Sequence, residues 1–198
     1  MAKAPVAGSV KRRLARDIGD VAAIHFYRST LARTVLSLGN DPRWRTYLAV
    51  TPDKAVTASC WPSLRNVARV GQGDGDLGQR MQALFDSMPP GPVVIVGSDI
   101  PAMRPCHIAG AFKLLGRSDA VFGPAHDGGY WLVGLKRSPR RLVPFAGVPW
   151  STEVALAATL ANLRGKIVTF APRLSDVDTK ADYRREHHSA ARRVASNV

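Results

Sequence analysis

The 198-residue chain has few cysteines, few glutamates and no long apolar run. Cys60 and Cys106 stand alone, without the close spacing of a zinc site or a disulfide framework, so we interpret both as packing residues. No apolar segment approaches the roughly 20 residues that a membrane span requires. The first residues also lack the apolar core of a signal peptide. We therefore expect a soluble, cytoplasmic protein.

Negative charge is scarce: 15 Asp and Glu face 28 Lys and Arg, for a net charge of +13. Such a balance is compatible with nucleic-acid binding, but the cations are scattered and no aromatic-interleaved stripe or helix-turn-helix pattern accompanies them. We favour attraction of small anionic substrates. The length and the 45% hydrophobic content predict a single domain over residues 1–198 with a basic tail at about 184–198.

The few acidic residues collect in loops that follow predicted strands. The apolar run Val93–Val96 predicts a strand buried on both faces, and it delivers Asp99 to its carboxyl end. Comparable acidic loops occur at residues 73–78, 127–130 and 176–179. Parallel sheets bind ligands beyond their strand ends. Aspartate also favours turns and helix caps. For any one of these loops taken by itself, this structural explanation stays open.

Hydrophobic periodicity predicts alternating helices and strands, which is typical of an α/β fold. The predicted helices cover residues 20–38, 77–88, 108–115 and a segment opened by residues 151–153; the predicted strands cover 44–50, 66–70, 93–96, 120–123, 130–135 and 167–170. A basic, glycine-containing loop at residues 3–13 begins almost at the first residue, whereas such a loop normally follows a strand. We therefore expect roughly 5 to 10 further apolar residues upstream, about one strand.

Six motifs occur in a fixed order: the loop from Lys3 to Leu14, GDLGQRM, GSDIP, GPAHDGGYWLVGL, PWST and DVDT. Together they resemble a family of small GT-A-fold transferases formerly described as a domain of unknown function (DUF2064). Other descriptions are radical-SAM and selenodomain-associated transferases, and some members are named glycosyltransferases of arsenosugar biosynthesis. The resemblance implies a nucleotide-diphospho-sugar transferase fold, a three-layer sandwich around a mostly parallel sheet. Two departures are the missing first strand and Arg12, where a threonine is usual.

The resemblance also implies the roles of individual residues. The residues implied for nucleotide binding are Lys3, Gly8, Lys11, Arg13, Asp76 and Gly78; for the second substrate, Gly128, Gly129, Tyr130, Ser151 and Thr152; for catalysis, Asp99, Asp127 and Lys11. Asp99 and Asp178 would hold Mg²⁺ or Mn²⁺, which suits oxygen ligands. Two alternatives stay open: Gly128 and Gly129 form an ordinary hairpin turn, and Ser151 or Thr152 caps a helix.

The function that these residues predict is metal-dependent transfer from a nucleotide-activated donor, with a nucleotide diphosphate sugar as donor and a small molecule as acceptor. Asp127 or Glu153 is then the candidate base for the acceptor hydroxyl. The alternative is a guanylyltransferase-like nucleotidyl transfer from a nucleoside triphosphate, with release of pyrophosphate. A weaker alternative is a non-catalytic protein that binds nucleotides or nucleic acid.

Overall fold

The structure, a computed structural model, describes residues 1–61 and 67–186. Its strands are β1 (Ala2–Lys3), β2 (Tyr47–Thr51), β3 (Ala68–Gly71), β4 (Val93–Val96), β5 (Ala120–Pro124), β6 (Tyr130–Leu135) and β7 (Val168–Phe170). Its helices are α1 (Arg12–Ile18), α2 (Asp20–Gly39), α3 (Leu77–Ser87), α4 (Pro105–Leu115) and α5 (Ala155–Ala161). A 3-10 turn covers Asp53–Ala55, and residues 180–186 are helical. Most of the predicted basic tail lies outside the described residues.

The strands form two sheets. One is parallel, in the order β1-β2-β3, and the other has the order β4-β6-β5-β7. In the second sheet β6 runs antiparallel to both of its neighbours, while β5 and β7 are parallel. This arrangement confirms the predicted α/β class with mostly parallel strands.

Helices cover both faces of the second sheet. Leu132 and Val133 are successive residues of β6 and therefore face opposite sides. Leu132 packs in one apolar cluster with residues of α4, and Val133 packs in another with residues of α3. This is the predicted three-layer order of helix, sheet and helix. None of the described helices is both long and apolar enough to cross a lipid bilayer.

The two sheets approach each other at Met1, whose ammonium group donates a hydrogen bond of 2.7 Å to the carbonyl oxygen of Val96. The chain thus has a short strand, β1, where the sequence predicted only a loop; it pairs with β2 through Ala2 and Lys3. Between β2 and β4 lies a cavity of about 660 Å³, lined by Val94, Phe112 and other apolar residues. The expectation of further upstream residues stays a prediction.

Two local expectations differ from the structure. Residues 12–18 form the helix α1, which lies partly within the predicted loop. Helix α5 begins at Ala155 with no side-chain cap, so Ser151 and Thr152 do not cap it. Ser151 instead adopts a left-handed conformation with a φ of 62°, and the hydroxyl of Thr152 donates to the carbonyl oxygen of Pro149. The chain turns here before the helix starts, and the predicted capping interpretation is wrong.

Candidate functional site

Asp99 lies just beyond the carboxyl end of β4. The amide of Gly97 still donates to the carbonyl oxygen of Trp131 in β6, so the pairing of the strand continues to this point. Ile100 is only 3% exposed and anchors the chain directly after Asp99. The carboxylate of Asp99 is therefore held between two fixed points while its side chain remains 30% exposed.

A second acidic segment, residues 176–178, lies beside Asp99 in the folded protein. Val177 is buried in an apolar cluster with Leu14 and Phe26. In an extended segment alternate side chains point the same way, so burial of Val177 turns Asp176 and Asp178 together to the other side. One carboxylate oxygen from each of Asp99, Asp176 and Asp178 lies within 4.8 Å of the others. Asp99 and Asp178, which are 79 positions apart in the sequence, are thus brought together.

Lys11 is at the centre of these three carboxylates, which we call the acidic cluster. Its Nζ lies 2.6 Å from Asp99 Oδ2, 2.7 Å from Asp178 Oδ1 and 3.9 Å from Asp176 Oδ2. The side chain is only 4% exposed. Burial by itself lowers the pKa of Lys11, but the charges of Asp99 and Asp178 outweigh burial and raise that pKa above its usual value. Lys11 therefore remains an ammonium ion at neutral pH.

The acidic cluster holds more negative charge than one lysine neutralises. Burial, followed by repulsion from Asp178, raises the pKa of Asp176 to about 6, although Lys11 opposes the shift. The charges of Asp99 and Asp127 add to the repulsion. Ionisation of Asp176 is thus costly, and a further cation would relieve that cost.

The basic loop before α1 is held by contacts that the sequence did not indicate. The hydroxyl of Tyr27 accepts from the amide of Lys3 and donates to its carbonyl oxygen. The guanidinium of Arg28 donates twice to the carbonyl oxygen of Pro5. Gly8 has a φ of +73°, and a Cβ built there would meet no atom within 4 Å. The side chains of Lys3, the last residue of β1, and Arg13, in the first turn of α1, are exposed at the two ends of this loop, in positions open to a ligand.

Asp76 and Gly78 have structural explanations. Asp76 caps α3: its carboxylate accepts from the amide of Gln79, and the Gln79 side chain accepts in return from the amide of Asp76. Gly78 is buried, and a Cβ at this position would lie 2.6 Å from the Trp150 ring. Packing of α3 against Trp150 therefore accounts for a glycine at position 78. Nucleotide contact stays a prediction for Gly78 and for Asp76, which is exposed.

The two glycines of the 127–130 loop differ from each other. They lie in the hairpin between β5 and β6, closed by the hydrogen bond from the amide of Ala125 to the carbonyl oxygen of Gly129. Gly128 has a φ of +84°, and a Cβ there would lie 1.9 Å from the carbonyl oxygen of Glu153. Gly128 thus allows close packing against Glu153, and its contact with the second substrate stays a prediction. Gly129 lines a cavity together with Asp127.

That cavity, of about 360 Å³, begins at the acidic cluster and is hereafter the substrate cavity. Three carboxylates line it, those of Asp99, Asp127 and Asp176. The predicted substrate residues Gly129, Tyr130, Ser151 and Thr152 also line it. Glu153, the other candidate base, is exposed and is not among the residues that line the substrate cavity.

Residues 34–152, more than half of the chain, match the bacterial family described as "Uncharacterized protein conserved in bacteria (DUF2064)". The chain belongs to this family. No curated protein matches it.

Several solved structures are similar in fold to this DUF2064 protein. A "putative nucleotide-diphospho-sugar transferase" from Desulfovibrio desulfuricans G20 is 29% identical, covers 90% of this chain and 80% of its own, and superimposes with a TM-score of 0.80. A homologue of Mycobacterium tuberculosis rv0371c from Mycobacterium sp. strain JC1 is 16% identical over 82% of this chain and 83% of its own, with a TM-score of 0.55. Rv0371c from M. tuberculosis H37Rv is 17% identical over 80% and 81%, with a TM-score of 0.50. The last two show a similar fold alone, and the Desulfovibrio structure confirms the predicted GT-A-like class.

The donor set of the acidic cluster suits a hard divalent cation. Mg²⁺ and Mn²⁺ prefer carboxylate oxygens and complete their coordination with water and phosphate oxygens. Asp176 offers a third carboxylate that the sequence analysis did not name as a ligand. The spacing of Asp176 and Asp178 around one apolar residue was the signal that could have identified it. The oxygens that surround the Lys11 ammonium are the same ones that such a cation would use.

Proposed function

We propose that this protein is a metal-dependent glycosyltransferase that uses a nucleotide diphosphate sugar as donor. The name of the Desulfovibrio neighbour supports a transferase that acts on such a donor. The observation that carries the proposal is the meeting of Lys11 with Asp99, Asp176 and Asp178 at the carboxyl end of β4, beside a basic loop and a cavity. A diphosphate needs cations, and an acceptor needs an adjoining space.

The chemistry requires that negative charge be stabilised as it develops on the diphosphate. Lys11 and the loop that carries Lys3 and Arg13 supply positive charge for the phosphates. Mg²⁺ or Mn²⁺ held by Asp99 and Asp178, with Asp176 beside them, would supply further neutralisation of the leaving group.

In the reaction the acceptor hydroxyl oxygen bonds to the anomeric carbon of the sugar. The bond from that carbon to the diphosphate oxygen breaks, and the diphosphate leaves with the electron pair. The hydroxyl proton passes to a carboxylate, and we assign that role to Asp127, which lines the substrate cavity. Its Oδ1 is oriented by the amide of Gly129 at 3.0 Å.

The experiment is to incubate the protein with nucleotide diphosphate sugars, with and without Mg²⁺ or Mn²⁺, and to measure the released nucleoside diphosphate. Slow metal-dependent release is expected even without an acceptor, because water can replace the acceptor hydroxyl. Asp99→Asn should reduce it by about 100-fold or more, the size of effect seen when a group that stabilises developing charge is removed.

The matched control is Asp20→Asn, which removes the same charge from an exposed position at the start of α2 and should leave release unchanged. Release that is equal in the Asp99 variant and the control would contradict the proposal. Pyrophosphate release from a nucleoside triphosphate, dependent on a phosphorylated acceptor, would instead support nucleotidyl transfer.

A further inference from the structure

The substrate cavity differs from the rest of the protein in its charge. The chain carries 28 Lys and Arg, yet the lining residues in the described part of the chain include neither. They do include Asp99, Asp127 and Asp176. Lys11 is close to the cavity, but its ammonium group is paired with two carboxylates in this structure and serves the donor diphosphate in the proposed function. The terminal amino group of Met1 also lines the cavity, but it donates to the carbonyl oxygen of Val96, and burial lowers its pKa to about 6. A second substrate in this cavity therefore meets negative charge without a free cation for negative charge of its own.

The remaining walls of the substrate cavity are mostly apolar, with Ser151 and Thr152 as the polar side chains among them. Leu77 and Met81 of α3 line it, together with Tyr130 and Trp150. The indole Nε1 of Trp150 is buried, so any part of that ring that faces the cavity is carbon. The hydroxyl of Tyr130 lies 3.5 Å from that of Thr159, which is fully buried. The polar tips of both aromatic residues are thus directed away from the space that a ligand would fill.

These two observations decide what can occupy the cavity. A phosphorylated or carboxylated molecule would lose its hydration and gain no cation of its own, because the Lys11 ammonium and the proposed divalent cation are committed to the donor diphosphate, while the carboxylate of Asp127 would repel it. An uncharged molecule with an apolar portion would gain contact with aliphatic and aromatic carbon. Its hydroxyl group could still approach Asp127.

We infer that the acceptor of this transferase is an uncharged alcohol with an apolar body, and not a phosphorylated or other anionic molecule. The inference rests on the proposed function, since it names the second substrate of the same site. It also separates the two transfer reactions, because nucleotidyl transfer of the guanylyltransferase type requires a phosphorylated acceptor.

The test compares two probes that differ only in charge, 3-phenylpropanol and 3-phenylpropyl phosphate. Binding to the 198-residue protein is measured by ligand-observed NMR titration without a nucleotide. The alcohol should bind at least about tenfold more tightly than the phosphate, equivalent to about 1.4 kcal/mol. Tighter or equal binding of the phosphate, or no binding of the alcohol, would overturn the inference.

Two lysine variants show whether the preference for the alcohol arises from the charge of the cavity. Leu77→Lys places a cation at a lining residue that is 45% exposed, and it should raise affinity for the phosphate about tenfold or more. Val143→Lys adds the same charge at a residue that is 49% exposed and does not line the cavity, and it should change neither affinity. An equal gain in both variants would mean that net charge, and not the cavity, determines the preference.

Failure of this inference and failure of the proposed function give different results. Nucleoside diphosphate release in the absence of any acceptor tests the donor chemistry alone. Metal-dependent release combined with preferential binding of the phosphate would retain the transferase and reject the uncharged acceptor. If both predictions hold, the alcohol should also accelerate release, because it replaces water as the acceptor.

Discussion

The candidate site has two ends that are built on different physical principles. At the charged end, Lys11 is paired with carboxylates at 2.6 and 2.7 Å, and the loop before it leaves open space around Gly8. At the apolar end, Gly128 and Gly78 let segments pack so closely that an added methyl group would overlap neighbouring atoms. The difference indicates that the charged end relies on electrostatic balance and open space for a ligand, whereas the apolar end relies on a closely packed wall.

The largest effect on stability should come from a glycine-to-alanine substitution at the apolar end, compared with the same substitution at the charged end. Gly128→Ala combines a φ of +84° with a contact of 1.9 Å to the Glu153 carbonyl oxygen, and we expect a loss of about 3 kcal/mol in the free energy of unfolding. Gly8→Ala has a similar φ of +73° with open space around it, so strain alone should cost about 1 kcal/mol. Urea unfolding of both variants measures the difference. Equal losses in the free energy of unfolding would contradict the distinction between a packed end and an open end.

A smaller effect on stability is expected from Lys11→Met. Removal of the ammonium leaves three carboxylates facing one another, but their side chains are 30–43% exposed and partly screened. We therefore expect a loss of about 1–3 kcal/mol in the free energy of unfolding in the presence of a chelator. Because the ammonium occupies the position that a divalent cation would take, Mn²⁺ should raise the melting temperature of this variant more than that of the wild type.

Nucleotide-sugar turnover should fall in the same variant, because the phosphates lose Lys11. Lys113→Met is the matched control, since Lys113 is exposed in the last turn of α4. A larger rise in melting temperature with Mn²⁺, together with a lower turnover, would show that Lys11 both occupies the position of the cation and binds the phosphates. An unchanged response to Mn²⁺ would show that lysine and metal do not share the cluster.

The sequence predicted the strand and the loop that carry Asp99, because an apolar run ending in a carboxylate is a local signal. The association of Asp178 with Asp99 was implied by the family resemblance and not by any local pattern. The sequence did not predict that Tyr27 holds Lys3, since that contact joins two elements through a single hydroxyl. It also did not predict the close contacts of Gly78 with Trp150 and of Gly128 with Glu153, which arise only when distant segments pack. A short glycine motif does not distinguish packing against protein from packing against a ligand.

The smallest predicted effect concerns pH. The pKa of Asp176 is raised from an ordinary 3.8 to about 6, so the folded state binds its proton more tightly than the unfolded state. The stability that this provides is present below pH 4 and is lost as the pH rises to 6. Asp176→Asn should therefore stabilise the metal-free protein at pH 7 by about 1 kcal/mol, a figure reduced to allow for solvent screening.

The gain from Asp176→Asn should disappear near pH 4, where the wild-type carboxyl is also neutral. Urea unfolding at the two pH values, with a chelator present, measures it. The Asp20→Asn protein removes one exposed charge and reports the effect of net charge alone. A gain that is equal at both pH values would mean that repulsion within the acidic cluster is not its cause.

The central claim is that the diphosphate of a nucleotide sugar and a divalent cation meet at the acidic cluster. The most direct measurement is an anomalous diffraction map from crystals grown with Mn²⁺ and a nucleoside diphosphate. We expect one strong manganese peak within coordination distance of Asp99 and Asp178, with the diphosphate bound to it and directed towards the loop that carries Gly8 and Lys11. Manganese or diphosphate bound elsewhere, with Lys11 still paired to both carboxylates, would contradict it.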